Sequence, residues 1–211
     1  MLIIDAPDLA GKTTLCHALL KRLWEQPKRY GPWPAIYGHF SALPPAWHYP
    51  KSYFPYITRY TVMDRFHISE LCYGPVTRGR SMLEHGGVRW LENQLGLVGT
   101  VTVMITLKED FLREQWAKKN REEMFKLEQV LAVNKRYQQL GDYYPEARVD
   151  FNFELESEAD YLSSNEAVMD QILSAWSQRL CETMVHGADG AGERYLERSK
   201  AVEEALRDTQ A

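Results

Sequence analysis

Residues 5 to 14 read DAPDLAGKTT. Counted from Ala6, the pattern is A-x-x-x-x-G-K-T, a phosphate-holding loop whose first glycine is replaced by alanine. In such a loop successive backbone N–H groups and the start of the next helix converge on one point and place partial positive charge there. Gly11, Lys12, Thr13 and Thr14 are thus the expected binders of a nucleotide's phosphates. Lys12 would reach the β and γ phosphates, and the Thr13 hydroxyl would join the shell of a Mg²⁺ ion. Alanine for glycine at position 6 matters only if the backbone there needs positive φ or a close approach. Pro7 removes an N–H, which is harmless if that N–H faces away from the phosphate.

A second run, DRFHISELCYGPVTRGR over 64–80, follows an apolar stretch that ends at Met63. In an open parallel sheet the carboxyl ends of the strands line the ligand crevice. Asp64 is then placed to hold Mg²⁺ through water, and Arg65 offers a planar fork suited to a phosphate. Phosphoryl transfer asks for position and charge neutralisation more than for covalent chemistry, which these residue types supply.

The elements that must position these residues follow from the hydrophobic pattern. Apolar runs fit for buried strands alternate with helical periods, so the expected class is α/β, an open parallel sheet of the P-loop type flanked by helices. Strands are expected at Leu2–Asp5, Ala35–His39, Tyr60–Met63, Thr100–Leu107 and Val149–Leu155. Helices are expected from Thr13 to about Glu25, from Met82 to Leu95 with Gly86 and Gly87 weakening it, from Lys108 to Leu140 with a break near Asn120, and from Asn165 to about Val185. Residues 40–60 carry four prolines and many aromatics and read as an irregular wall. One domain over 1–186 is expected, with a lid near 113–124 and a charged tail over 187–211.

Composition narrows the classes. The 211 residues are 45% hydrophobic and 26% charged, the balance of a soluble globular domain. A net charge of −4 gives no global pull toward nucleic acid or an anionic membrane. No run approaches the length needed to span a bilayer, and a cytoplasmic location is expected, a host cytoplasm if a bacteriophage encodes the chain. Cys16, Cys72 and Cys181 lack metal-ligand spacing and read as reduced core thiols.

The 64–80 stretch resembles the acceptor segment of thymidylate kinases: Asp64, Arg65, Phe66, Ser69, Tyr73, Arg78 and Gly79 fall on its pattern. The resemblance covers residues 2 to 140. Asp5 and Asp8 match acidic residues around the family's loop, Arg121 and Glu123 an Arg-x-Glu pair in its lid, and Arg136-Tyr137 a later Arg-Tyr. It implies an ATP- and Mg²⁺-dependent kinase acting on a pyrimidine deoxynucleotide, dTMP or a modified dUMP. By that resemblance Arg65 and Arg78 serve the acceptor, Tyr73 lies against its sugar, and Ser69 with Phe66 sit near its base. Asp8 orients the acceptor, and Arg121, with Arg113, Lys118 and Lys119 nearby, brings a cation to the transferring group; a homodimer is expected by analogy. The family's Arg-Glu-Pro-Gly-Gly segment is absent, so its base-stacking residues do not carry over; Phe40, Trp47, Tyr53, Phe54 and Arg59 are the candidates in its place. Two alternatives stay open. One is phosphorylation of 5-hydroxymethyldeoxyuridine within DNA, as in phage relatives of the family; the other is a P-loop ATPase or nucleotide-binding module without an acceptor.

Overall fold

The computed structural model describes residues 1–40, 50–118, 125–157 and 161–187. Five parallel strands form one sheet in the order β2-β3-β1-β4-β5: β1 Leu2–Asp5, β2 Ile36–His39, β3 Thr61–Asp64, β4 Val101–Leu107 and β5 Phe151–Leu155. Every pairing is parallel, and β1 sits in the middle between β3 and β4. Parallel strands need crossovers, and the helices that make them cover both faces of the sheet. That is why β1, β3 and β4 are buried along their whole length, with no polar face.

Strand alternation splits the core in two. Leu2 and Ile4 of β1, with Val101, Val103, Ile105 and Leu107 of β4, face α1 (Lys12–Glu25), α5 (Glu109–Ala117) and α9 (Glu166–Gly187). Met1, Ile3, Met63 and Met104 face α3 (His67–Arg78), α4 (His85–Leu97) and α6 (Leu127–Gln138). Short helices α2 (Pro27–Tyr30), α7 (Leu140–Tyr143) and α8 (Tyr161–Ser164) fill the connections. On α1 the apolar positions Leu15, Leu19 and Leu23 recur at helical spacing and are buried.

All five expected strands form, within two residues of the ends read from the sequence. Four readings need correction. Helix α3 falls on a stretch read for its chemistry and given no element. The helix expected from Met82 begins three residues later, at His85. The wall over 40–60 is not wholly irregular, because Pro50–Tyr56 is a 3-10 helix; residues 41–49, with Trp47, lie outside the described residues. So do Lys119, Asn120 and Arg121 of the lid, and 188–211 of the tail. Of the three cysteines, Cys16 and Cys72 are buried but Cys181 is exposed on α9. No helix among the described residues is long and apolar enough to cross a membrane.

The glycine pair that weakened α4 has opposite meanings at its two positions. A Cβ on Gly86 would meet nothing, whereas one on Gly87 would lie 2.7 Å from Cγ of Pro50, in the rigid ring that docks the 3-10 helix. Gly86→Ala is therefore expected to stabilise by up to about 1 kcal/mol through helix propensity. Gly87→Ala is expected to destabilise by about 1–3 kcal/mol through overpacking, which exceeds that gain. Thermal melts of the two variants check the contrast in sign.

Candidate functional site

The loop after β1 has the conformation that its composition implies. Leu9 (φ 74°) and Gly11 (φ 68°) are left-handed, and Gly11 caps α1 without a side-chain bond, so the first N–H groups of α1 remain for a ligand. Among the described non-glycine residues only Leu9 and Arg65 have positive φ. Ala6 is not one of them, so the position where glycine is usual does not need it here. Lys12 is buried with its Nζ donating to the Pro7 carbonyl (2.7 Å). Burial, then the neighbouring Arg65, push its ammonium down to about 8 against the pull of Asp8, Asp64 and Asp5. A cation so poorly neutralised is set to gain from an incoming anion.

Across the sheet, β3 ends beside this loop. Thr13 Oγ1 donates to Asp64 Oδ2 (2.5 Å), as does the hydroxyl of Tyr37 from β2 (3.1 Å). The other oxygen, Oδ1, is buried and has no hydrogen-bond partner among the described residues. Burial, then Asp64, push the Tyr37 hydroxyl up to about 12, so it stays a donor. Arg65 takes up φ 68° as the chain leaves β3, its N–H still held by Ile4 O (2.9 Å). That turn sends its guanidinium back to the loop, where it pairs with Asp8 and lies over the ring of Tyr73, 4.6 Å from the centroid. The expected phosphate-side residues Lys12 and Thr13 thus share one crevice with Asp8, Asp64, Arg65 and Tyr73.

Other expected acceptor residues lie behind this surface. Ser69 has no exposure; its Oγ donates to Asp5 Oδ1 (2.6 Å) and contacts the Tyr137 hydroxyl (3.0 Å). Phe66 has none either, because Phe40 and Tyr53 pack edge-on against it at 5.2 and 5.3 Å between centroids. In this structure none of Ser69, Phe66, Phe40 or Tyr53 offers an atom to a base; of the wall's named aromatics among the described residues, Phe54 is exposed. Arg78 is taken up by Glu70, its Nη2 bonded to both carboxylate oxygens (2.6 and 2.5 Å), while Glu70 also accepts from Met82 N–H (2.8 Å). Arg113 and Lys118 of the lid pair with Glu109 and Glu114 one turn back on α5.

The support behind the crevice is the Asp5 carboxylate. It accepts from Phe66 N–H (2.9 Å), Ser69 N–H (3.2 Å), Ser69 Oγ and the Tyr137 hydroxyl (2.5 Å). The negative charge sits at the start of α3 and satisfies N–H groups that the helix itself cannot. One carboxylate at the end of β1 thereby fixes α3, and with it Arg65, and ties both to α6. Tyr137, pushed well above its ordinary value by burial and then by Asp5, remains protonated to donate. Behind α3, His67 Nε2 meets Glu92 Oε1 of α4 at 2.8 Å.

Sequence reasoning missed Tyr37, His39 and His17, which gather around Asp64. The signal was there in polar residues two apart at the carboxyl end of β2, a spacing that puts both on one side of a strand.

No family model and no curated protein matches the chain. Among solved structures it is similar to the YorR protein of Bacillus subtilis, crystallised in complex with phosphorylated GDP. Identity is 18%, the TM-score is 0.59, and the match covers 88% of this chain and 97% of that one. What the two share is the fold.

Proposed function

We propose that the protein is an ATP-dependent kinase that transfers the γ-phosphoryl group to a pyrimidine deoxynucleotide, dTMP or a modified dUMP. The observation that carries this reading is the shared crevice: Lys12 of a phosphate-holding loop lies beside Arg65, whose guanidinium is aimed back at that loop through Asp8. A nucleotide-binding module without an acceptor has no use for a second, half-buried cation at that place. The bound nucleotide in YorR fits a nucleotide partner here.

In this reading the N–H groups of Gly11 to Thr14 cradle the triphosphate, and Lys12 exchanges the Pro7 carbonyl for phosphate oxygens. Arg65 grips the acceptor and Asp8 orients it, while Tyr73, expected against the sugar, is buried under the guanidinium and holds it flat instead. Arg121 is retained as the lid cation. Thr13 and the unpartnered Oδ1 of Asp64 are oxygen donors of the kind a hard cation takes, so they would hold Mg²⁺. Its contribution when bound is to neutralise charge on the phosphates. Residues 1–186 form the kinase domain in this scheme.

One observation favours a second acceptor, 5-hydroxymethyldeoxyuridine within DNA. From Gln26 to Met63 the chain has no Asp or Glu, yet it carries Lys28, Arg29, Lys51 and Arg59 among many aromatics. Phe54 and Tyr56 are exposed there, and the Phe54 ring lies 6.4 Å from that of Trp90. Arg29 is paired with Asp170 of α9, and exposed aromatics near the remaining cations suit stacking on an extruded or single-stranded base.

Radiolabelled ATP offered with dTMP, dUMP, hydroxymethyl-dUMP and hydroxymethyluracil-containing DNA tests both. Label on a free nucleotide is the expected result, and label on DNA selects the second acceptor. Release as inorganic phosphate with every acceptor overturns the kinase reading.

A further inference from the structure

The unassigned residues around Asp64 form an ordered set. Thr13 and His17 are one turn apart on α1 and share a helix face, while Tyr37 and His39 share a face of β2. The register pairs His39 with Asp64, which brings that face to the end of β3. Tyr37 and Thr13 both donate to Oδ2, and His39 Nδ1 stands 3.8 Å from the same atom. The ring of His17 stacks on that of Tyr37 at 4.7 Å, inclined by 26°. Two donors on one oxygen and none on the other fix which way the carboxylate is turned. Its second oxygen is left buried and uncompensated, an arrangement that costs free energy unless a ligand completes it.

We propose that Tyr37, braced by the ring of His17, is a positioning residue for a divalent cation: it pins Oδ2 of Asp64 so that Oδ1 is presented to the ion that accompanies the nucleotide. The inference rests on the nucleotide site proposed above. Thr13 can donate its proton to Oδ2 while its oxygen lone pair meets the cation, and Tyr37 adds the second donor that fixes the turn of the carboxylate. Outer partners of this kind orient the ligand without touching the metal.

The test measures metal binding and needs no turnover. Mn²⁺ is titrated into the protein saturated with ADP, free Mn²⁺ is followed by its electron paramagnetic resonance signal, and ADP affinity is measured separately in EDTA. Tyr37→Phe is expected to weaken Mn²⁺ binding by about 10-fold, the low end for loss of such a partner. ADP affinity in EDTA and the melting temperature should stay as in the wild type. His17→Ala should weaken Mn²⁺ in the same direction by a smaller factor, and His17→Phe, which keeps the stack, should restore it. Unchanged Mn²⁺ affinity in Tyr37→Phe overturns the proposal, and so does a matching loss of ADP affinity in EDTA, which would make Tyr37 a support of the loop. A wild type that binds no ADP under either condition refutes the nucleotide site itself, and this inference with it.

Discussion

Lys12→Met is expected to abolish phosphoryl transfer and to raise the melting temperature. The first effect follows from its place: loss of a preorganised cation at the transferring phosphate costs on the order of 10²–10³ in rate or more. The second follows from its burial. A lysine held at about 8 in the folded chain, against 10.5 when free, is charged below pH 8 at a cost of about 3 kcal/mol. Methionine keeps the apolar stem and removes that cost, while stranding the Pro7 carbonyl gives back about 1 kcal/mol. The net gain of about 2 kcal/mol corresponds to a rise of roughly 4–8 °C for a chain of this size. The unfolded chain holds the Lys12 proton up to pH 10.5, whereas the folded chain releases it at about 8. The wild type thus recovers stability as pH climbs from 8 to 10.5, and the gap between the two proteins should close over that window. Melts at pH 7 and pH 10, alongside a transfer assay, check both effects; a variant that turns over normally, or melts lower at pH 7, contradicts the assignment.

The second large effect is expected at Arg65. Arg65→Ala should raise the acceptor KM by about 10- to 100-fold, the worth of one charge-assisted contact of 1.5–3 kcal/mol, and leave the KM for ATP nearly unchanged. Arg65→Gly should show the same KM defect. It should also melt higher than the alanine variant by up to about 1–2 kcal/mol of relieved strain, because position 65 has φ 68°. The pair separates what the guanidinium does from what the backbone costs. An acceptor KM that stays put in both variants removes Arg65 from the acceptor.

Much of the fold was legible because buried parallel strands announce themselves: VTVMITL carries no charge and even its threonines are buried, since both its faces are covered. Helix α3 was not, because its buried face includes His67 and Ser69, polar residues satisfied by partners distant in sequence, and Glu70, satisfied by Arg78 once the helix has formed. The same blindness affected the crevice. Spacing shows that Gly11, Lys12 and Thr13 belong together, since the loop is local. Whether Ser69 turns toward a base or toward Asp5 depends on hydrogen bonds formed only after the chain closes on itself, and whether Arg78 is free or held by Glu70 depends on α3 forming between them. Tyr37 escaped notice for that reason also; alone on an edge strand it is an ordinary aromatic, and only its distance to Asp64 gives it meaning.

The donors collected by Asp5 come from the start of α3 and, through Tyr137 of α6, from a residue 132 positions further along the chain than Asp5 itself. The last of them cannot arrive until the later half of the chain has docked. Detaching α6 alone would take Tyr137 from Asp5 and strip α3 of the helix it packs against, loosening the mount of Arg65 while the strands remain paired. Gentle heating or low denaturant should therefore silence the protein before its sheet dissolves, so that loss of function reports a local opening and not global collapse.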